Sequence, residues 1–355
     1  MDPRWKRLGE LLVNYSTRVR PGERVMIAMI EPETYPLVQA VYEATIKAGA
    51  FPQVQFLSET LRHSLLRFGG AGQINWVPEI ESHGMEWADV YIGLRGAHNL
   101  YELSDIPSEI LAANQEVMGK ISALRWEKTR WCIIRVPNES FAQAAGTDTE
   151  TIMDMFFDSC FLDWEEETKT WDVWAEKLNQ GNQIRITGNK TDLSFSTKGR
   201  RWVPYAGITN MPDGEISTAP VNGTENGAIY FDFPGVLGGR LVYDIFLVWD
   251  NGVLTRAESS TEQEFLRSIL NRDEGARAIG EFAFGANPKV TRFCKDILID
   301  EKIGGTIHIA MGRAYPECGG TNKSAIHWDI IKDLRTQGVV YMDGNVIFEK
   351  GKITL

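Results

Sequence analysis

The spacing of apolar residues changes character once along this chain, near residue 180. Before it, short apolar runs alternate with helical patterns. "RVMIAMI" (24–30) precedes "YPLVQAVYEATIKAGA" (35–50), in which Leu37, Ala40, Val41, Ala44 and Ala48 recur at helical spacing. "FPQVQFLS" (51–58), "TLRHSLLRF" (60–68), "ADVYIGLRG" (88–96), a helix around 107–125 and "RWCIIRVP" (130–137) continue the alternation, and 138–180 reads as helical. Strand and helix in turn predict a parallel sheet with covering helices. Beyond 180, "QIRITG", "TDLSFST", "GAIYFDFP", "GRLVYDIFLVWDNGVLTRAES" and "VVYMDGNVIFEKGKITL" are β-rich. Asp250-Asn251-Gly252 and Asp343-Gly344 sit between strand-like runs, where hairpin turns require them. The expected organisation is an α/β domain over 1–180 and a predominantly β domain over 181–355.

Composition narrows the function classes. The chain has 355 residues, 43% hydrophobic and 24% charged, enough for a sizeable core. With 48 acidic against 37 basic residues its formal charge is −11, and no Lys/Arg stripe offsets it, so no nucleic-acid partner is expected. The start, "MDPRWKRLGELL", is too polar for a secretory signal, and no run of about 18 apolar residues marks a membrane span. Cys132, Cys160, Cys294 and Cys318 form no C-x-x-C pair, which fits free thiols in a reducing, cytoplasmic setting. "GLRGAHN" lacks the spacing of a dinucleotide fingerprint. Trp164, Trp171 and Trp174, in "DWEEETKTWDVWAEKL", read as packing residues.

The chemistry gathers near the C-terminal end. "SAIHWDII" (324–331) has the apolar frame of a buried strand, yet His327 and Asp329, two positions apart, must face the same side. His308 lies in a second such strand, "GGTIHIAMG" (304–312), where Thr306, His308 and Ala310 share a face. The glycine-rich "GRAYPECGGTNK" would let the two strands lie side by side, with Tyr315 in the loop at their end. Two imidazoles and a carboxylate suit Zn, Mn, Co or Fe, although an H-x-D pair alone is also a common buried hydrogen-bonded pair. Glu215 in "NMPDGEISTAP", Glu281 in "IGEFAFGANP", and Asp300 and Glu301 in "LIDEKIGGTIH" add carboxylates. In apolar surroundings each would have to be protonated, paired or bound to a cation.

"MPDGEISTAP", "GEFAFGANP" and "DEKIGGTIHIAMGRAYPECGGTNKSAIHWDII" in this order resemble the dinuclear metalloaminopeptidases of the aminopeptidase T, aminopeptidase S and aminopeptidase II family. The resemblance is specific over about 205–335 and diffuse before it. It implies that Glu215, Glu281, His308, His327 and Asp329 ligate two divalent metals, with Tyr315 beside them and Glu301 at the family's acidic position before the first histidine. It further implies an intracellular homodimer acting on peptides with a free N-terminus. The chain departs from better-known members in being shorter and in a trimmed connection between Tyr315 and His327, which leaves open the size of the chamber and the preferred substrate.

Peptide-bond hydrolysis fits such a set. Two metals can share a hydroxide and polarise the carbonyl, while a nearby carboxylate moves protons to the leaving amine. Glu215 and Glu281 are both candidates for ligand and base, and Tyr315 for a donor to the oxyanion. Glu215, Glu281, Glu301 and Asp329 together would balance two dications. A different reading takes His308, His327 and Asp329 alone as the two-His-one-carboxylate site of a mononuclear iron(II) ring-cleaving dioxygenase of the dihydroxypyridine type. Such a site has no use for Glu215 and Glu281. A third reading is a binding protein that kept the fold without the activity.

Overall fold

The computed structural model describes residues 2–125 and 128–355. The chain forms two compact units, one of Met1–Phe161 with Gly207–Pro212, the other of Leu162–Ala206 with Asp213–Leu355.

The first unit is α/β, as the strand–helix alternation predicts. Its five-stranded sheet runs in the order Phe51–Leu57, Arg24–Ile30, Val90–Arg95, Arg130–Arg135, Asn210–Met211, with every pair parallel. Parallel strands need covered faces. Helix Tyr35–Lys47 buries the predicted stripe of Leu37, Ala40, Val41 and Ala44. A further cluster joins Met26, Ala28 and Tyr91 of the sheet to Val117 and Ile121 of helix Ser108–Ala123. Asp148 caps helix Thr149–Cys160 by accepting the Thr151 N–H at 2.9 Å.

The second unit opens with helix Trp164–Leu178, on which Trp164 and Trp171 are buried edge to face, 6.2 Å between centroids. It then builds two large antiparallel sheets and a two-stranded ribbon of Gly235–Leu237 and Arg240–Val242. Eight strands run in the order Val253–Glu258, Phe246–Asp250, Asn226–Tyr230, Thr191–Ser196, Gln183–Gly188, Val339–Met342, Asn345–Glu349, Lys352–Ile353. Asn251-Gly252 and Asp343-Gly344 make the hairpin turns expected of them.

The other sheet has the order His327–Asp333, Thr306–Gly312, Ile279–Gly285, Glu215–Thr218, Val203–Tyr205. Alternation gives it two unlike faces. Phe282 and Phe284 face the eight-stranded sheet, 5.3 Å from Phe195 and Phe348 respectively. Ile307, Ile309, Trp328 and Ile330 share their parity and are buried. The opposite parity carries Glu215, Glu281, His308, His327 and Asp329. One face is therefore hydrophobic core and the other is chemistry.

Candidate metal centre

Register brings the polar face together. Glu281 pairs with Ala310, and Ala310 with Asp329, so two carboxylates flank an alanine in one row across three strands. The next row holds Ser217, Ala283 and His308. His327 stands opposite Gly312, and Glu215 opposite Gly285. Small residues at Ala283, Gly285 and Ala310 leave room above the sheet for the longer side chains around them. A bulge between Ile279 and Glu281 sets this register. Gly280 is required there, because a Cβ would lie 2.4 Å from the Arg313 carbonyl oxygen. Gly312 adopts φ +100°, a conformation that side chains resist.

The side chains converge as two adjacent sets of three. Glu215, Glu301 and His308 form one, and Glu281, His327 and Asp329 the other; within each set the ligand atoms lie within 4.8 Å of one another. In the first, His308 Nε2 is 3.5 Å from Glu215 Oε2. In the second, His327 Nε2 is 3.2 Å from Glu281 Oε2 and 3.4 Å from Asp329 Oδ1. Asp329 Oδ1 also lies 4.0 Å from His308 Nε2 and so stands between the sets. Tyr315 packs its ring on His327, centroids 4.7 Å apart. The six candidate ligands and Tyr315 are thus in one place. Asp300 is not: its carboxylate accepts the N–H groups of Cys294 and Asp296 at 2.5 and 2.9 Å and pins a loop.

The donor set fits divalent cations. Glu215 Oε2, Asp329 Oδ1 and both ring nitrogens of His308 are buried without a hydrogen-bond partner. Orphaned polar atoms cost about 1–3 kcal/mol each unless something fills the role of partner. Here they are carboxylate oxygens and imidazole nitrogens with no thiolate among them, the ligand chemistry of Zn, Mn, Co or Fe. Outer contacts orient them. Ser217 Oγ donates to Glu281 Oε1, and His327 Nδ1 is 2.7 Å from the Arg313 carbonyl oxygen.

Comparison with known proteins places the chain in a family. The description of the thermophilic metalloproteases, M29, matches residues 1–353. The chain belongs to that family. Aminopeptidase T of Thermus thermophilus is 25% identical, across 96% of this chain and 95% of its own. Aminopeptidase 2 of Geobacillus stearothermophilus is 23% identical, across 98% and 99%. The solved structure of wild-type AmpT from Thermus thermophilus matches with a TM-score of 0.89 at 22% identity, over 99% of both chains. A 2,5-dihydroxypyridine dioxygenase from Pseudomonas putida KT2440 matches with 0.63 at 15% identity, over 99% of this chain and 96% of that one. Both structures share the fold, and the likeness is closer to AmpT.

The M29 metalloprotease holds two site residues that the sequence reading passed over. Lys302, with a wholly buried side chain, places Nζ 2.9 Å from Glu215 Oε1, 2.8 Å from Glu301 Oε1 and 3.3 Å from Asp213 Oδ1. In "PDGE" and "DEK" these residues look like ordinary turn and surface charges. The signal lay in adjacency: each neighbours a site glutamate closely enough to share its burial. With Asp213 included, the two sets and their surroundings carry five carboxylates and one ammonium, which leaves a formal charge of minus four with neutral imidazoles. Two dications balance that charge.

Burial and neighbours pull the titrating groups apart. Burial holds Glu215 above the ordinary carboxylate range and Glu301 well above it. Burial opposes the charge of Lys302, but Glu215, Glu301 and Asp213 outweigh it and hold the ammonium well above its usual value. Burial likewise opposes protonation of His327, and Asp329 and Glu281 reverse it. Asp329 is held down to about 2, burial being outweighed by His327. The Tyr315 hydroxyl is pushed up by burial, with Glu281 and Asp329 adding to it, and so keeps its proton.

Proposed function

We propose that this metalloprotease is an aminopeptidase that removes the N-terminal residue of peptides with two divalent ions. The observation that supports it is the pairing of two three-residue sets on one sheet face, with unpartnered oxygen and nitrogen atoms aimed between them. Glu215, Glu301 and His308 would hold one ion, and Glu281, His327 and Asp329 the other. Held there, such ions would supply Lewis acidity toward a water and the scissile carbonyl and a site for the substrate's free amine. Glu281, oriented by Ser217, would accept a proton from the attacking water as well as ligate, and Glu215, tied to Lys302, would serve as a ligand. Tyr315, protonated and beside His327, would donate to the oxyanion.

A mononuclear dioxygenase needs only His308, His327 and Asp329, and leaves Glu215, Glu281 and Glu301 buried without a task. The ion is expected to be zinc, cobalt or manganese. The cellular setting is expected to be the cytoplasm, in keeping with four buried cysteines that form no disulfide with one another. No helix among the described residues is long and apolar enough to cross a membrane. A homodimer is supported by Leu61, Phe68, Trp76 and Ile80, which are 53–90% exposed across the short helices of 59–87 and their connections in the first unit.

The test loads ion-free protein with Co(II), Zn(II) or Mn(II) and measures metal content together with release of N-terminal residues from short peptides. Two ions and release are expected. One iron per chain with oxygen-dependent cleavage of a dihydroxylated ring would overturn the reading. Glu281→Gln should lower turnover by about 10²-fold or more while the fold is retained; unchanged turnover removes Glu281 from the reaction.

A further inference from the structure

We propose that Lys302 is a positioning residue that splits the carboxylates of its set between itself and the ion, and that Asp213 sets how strongly it does so. Lys302 Nζ takes Oε1 of both Glu215 and Glu301, which leaves the other oxygen of each for a cation. Glu215 Oε2 is the oxygen that faces His308 and has no hydrogen-bond partner. The Lys302 contacts are ion pairs and lack the alignment of hydrogen bonds. A compact ammonium can stand among three acceptors in this way, whereas a planar guanidinium could not.

Among the described residues, the second set has no such cation against it. Glu281 Oε1 is held by the Ser217 hydroxyl and His327 by a main-chain carbonyl, both uncharged partners. The two sets are therefore inequivalent. A positive charge in contact with two ligands of one ion, wholly out of solvent, repels that ion and weakens its binding. Asp213, 3.3 Å from the same ammonium, offsets part of the repulsion. Lys302 thus stands in for missing positive charge before loading and keeps each glutamate to one ligating oxygen after it.

This rests on the two-ion reading, and Co(II) titration of ion-free protein, followed by visible absorption, separates the two. The wild type should bind in a tighter and a weaker step. Lys302→Met should tighten the weaker step by roughly tenfold or more, and Asp213→Asn should weaken it, each leaving the other step in place. Opposite signs from neighbouring substitutions distinguish charge positioning from packing, which would loosen both. Should Lys302→Met not fold, a weaker step that Asp213→Asn leaves unmoved overturns the proposal. So does a shift of the same sign in both variants. A wild type that takes up one Co(II) overturns the two-ion reading; the role of Lys302 then stands if its replacement tightens that single step, and falls if the step is unmoved.

Discussion

His327 Nδ1 lies 2.7 Å from the main-chain carbonyl oxygen of Arg313, and this contact decides what the other ring nitrogen does. A carbonyl only accepts, so Nδ1 carries the proton it donates. Nε2 is left to face Glu281 and Asp329. A lone pair aimed at two carboxylates is unfavourable unless a proton or a cation lies between them. The same carbonyl is admitted because residue 280 is glycine.

His327→Asn should therefore remove a ligand nitrogen without disturbing the strand. We expect one of two Co(II) steps to be lost and activity to fall by about 100-fold or more. Retention of both steps in the titration would remove His327 from the ion-binding set.

Ser217 acts one layer further out. Its hydroxyl fixes Glu281 Oε1, and its strand neighbour in register is Ala283, beside His308. Ser217→Ala should lower metal affinity or activity by roughly 10-fold, at the lower end of what outer partners contribute, with little change in melting temperature. An unchanged enzyme would mean that Glu281 needs no orienting group.

The titrating groups give the ion-free protein an unusual pH dependence. Glu215 and Glu301 are held above their ordinary 4.5 by burial. His327 is held above 6.5 because Asp329 and Glu281 outweigh its burial. Each binds its proton more tightly folded than unfolded. Its contribution is thus complete below the ordinary value and is lost as pH rises through the raised one. Asp329 works in the opposite sense, but its contribution is lost only below 3.8, toward about 2. Chelated protein should therefore melt lower at about pH 8 than at about pH 5.5. Ion-loaded protein should gain with pH, since its ligands must shed protons to bind. Melting curves at both pH values, with chelator or Co(II), check this. A chelated protein that is more stable at the alkaline end would contradict it.

Much of the site was legible because strand parity is a strict rule. His327 and Asp329 at i and i+2, and His308 between Thr306 and Ala310, had to share faces, and the hairpin-like connection brought the two strands together as expected. The α/β to β transition was legible for a similar reason: apolar period separates parallel units from antiparallel hairpins. Lys302 and Asp213 were not legible, since a charge beside a charge in sequence ordinarily means solvent. Only tertiary packing buries Lys302 completely, and adjacency to Glu301 was the one local hint of it. The bulge at Gly280 was hidden too. A one-residue slip in register decides which face Glu281 occupies, and glycine in a strand has several other meanings. Asp300 and Glu301 illustrate the limit: adjacent acids on one short turn part company, one to a loop and one to the site.

Ala310 offers the sharpest separation of site from scaffold. It stands in register between Glu281 and Asp329, fully buried, on the face that carries the chemistry. Its neighbour Ile309 is as deeply buried but faces the eight-stranded sheet. Ala310→Leu would push branched carbon into the space where the two carboxylates and His327 converge. Overpacking of this kind costs about 1–3 kcal/mol, and here it should also abolish the Co(II) step belonging to the Glu281 set. Ile309→Ala leaves a cavity on the other face and should cost about 2–5 kcal/mol, yet keep both Co(II) steps. Melting curves and Co(II) titrations on the two variants measure the contrast. The larger loss of stability should fall on the variant that keeps its metal. If Ala310→Leu binds both ions as the wild type does, the space above Ala310 is not where they are held.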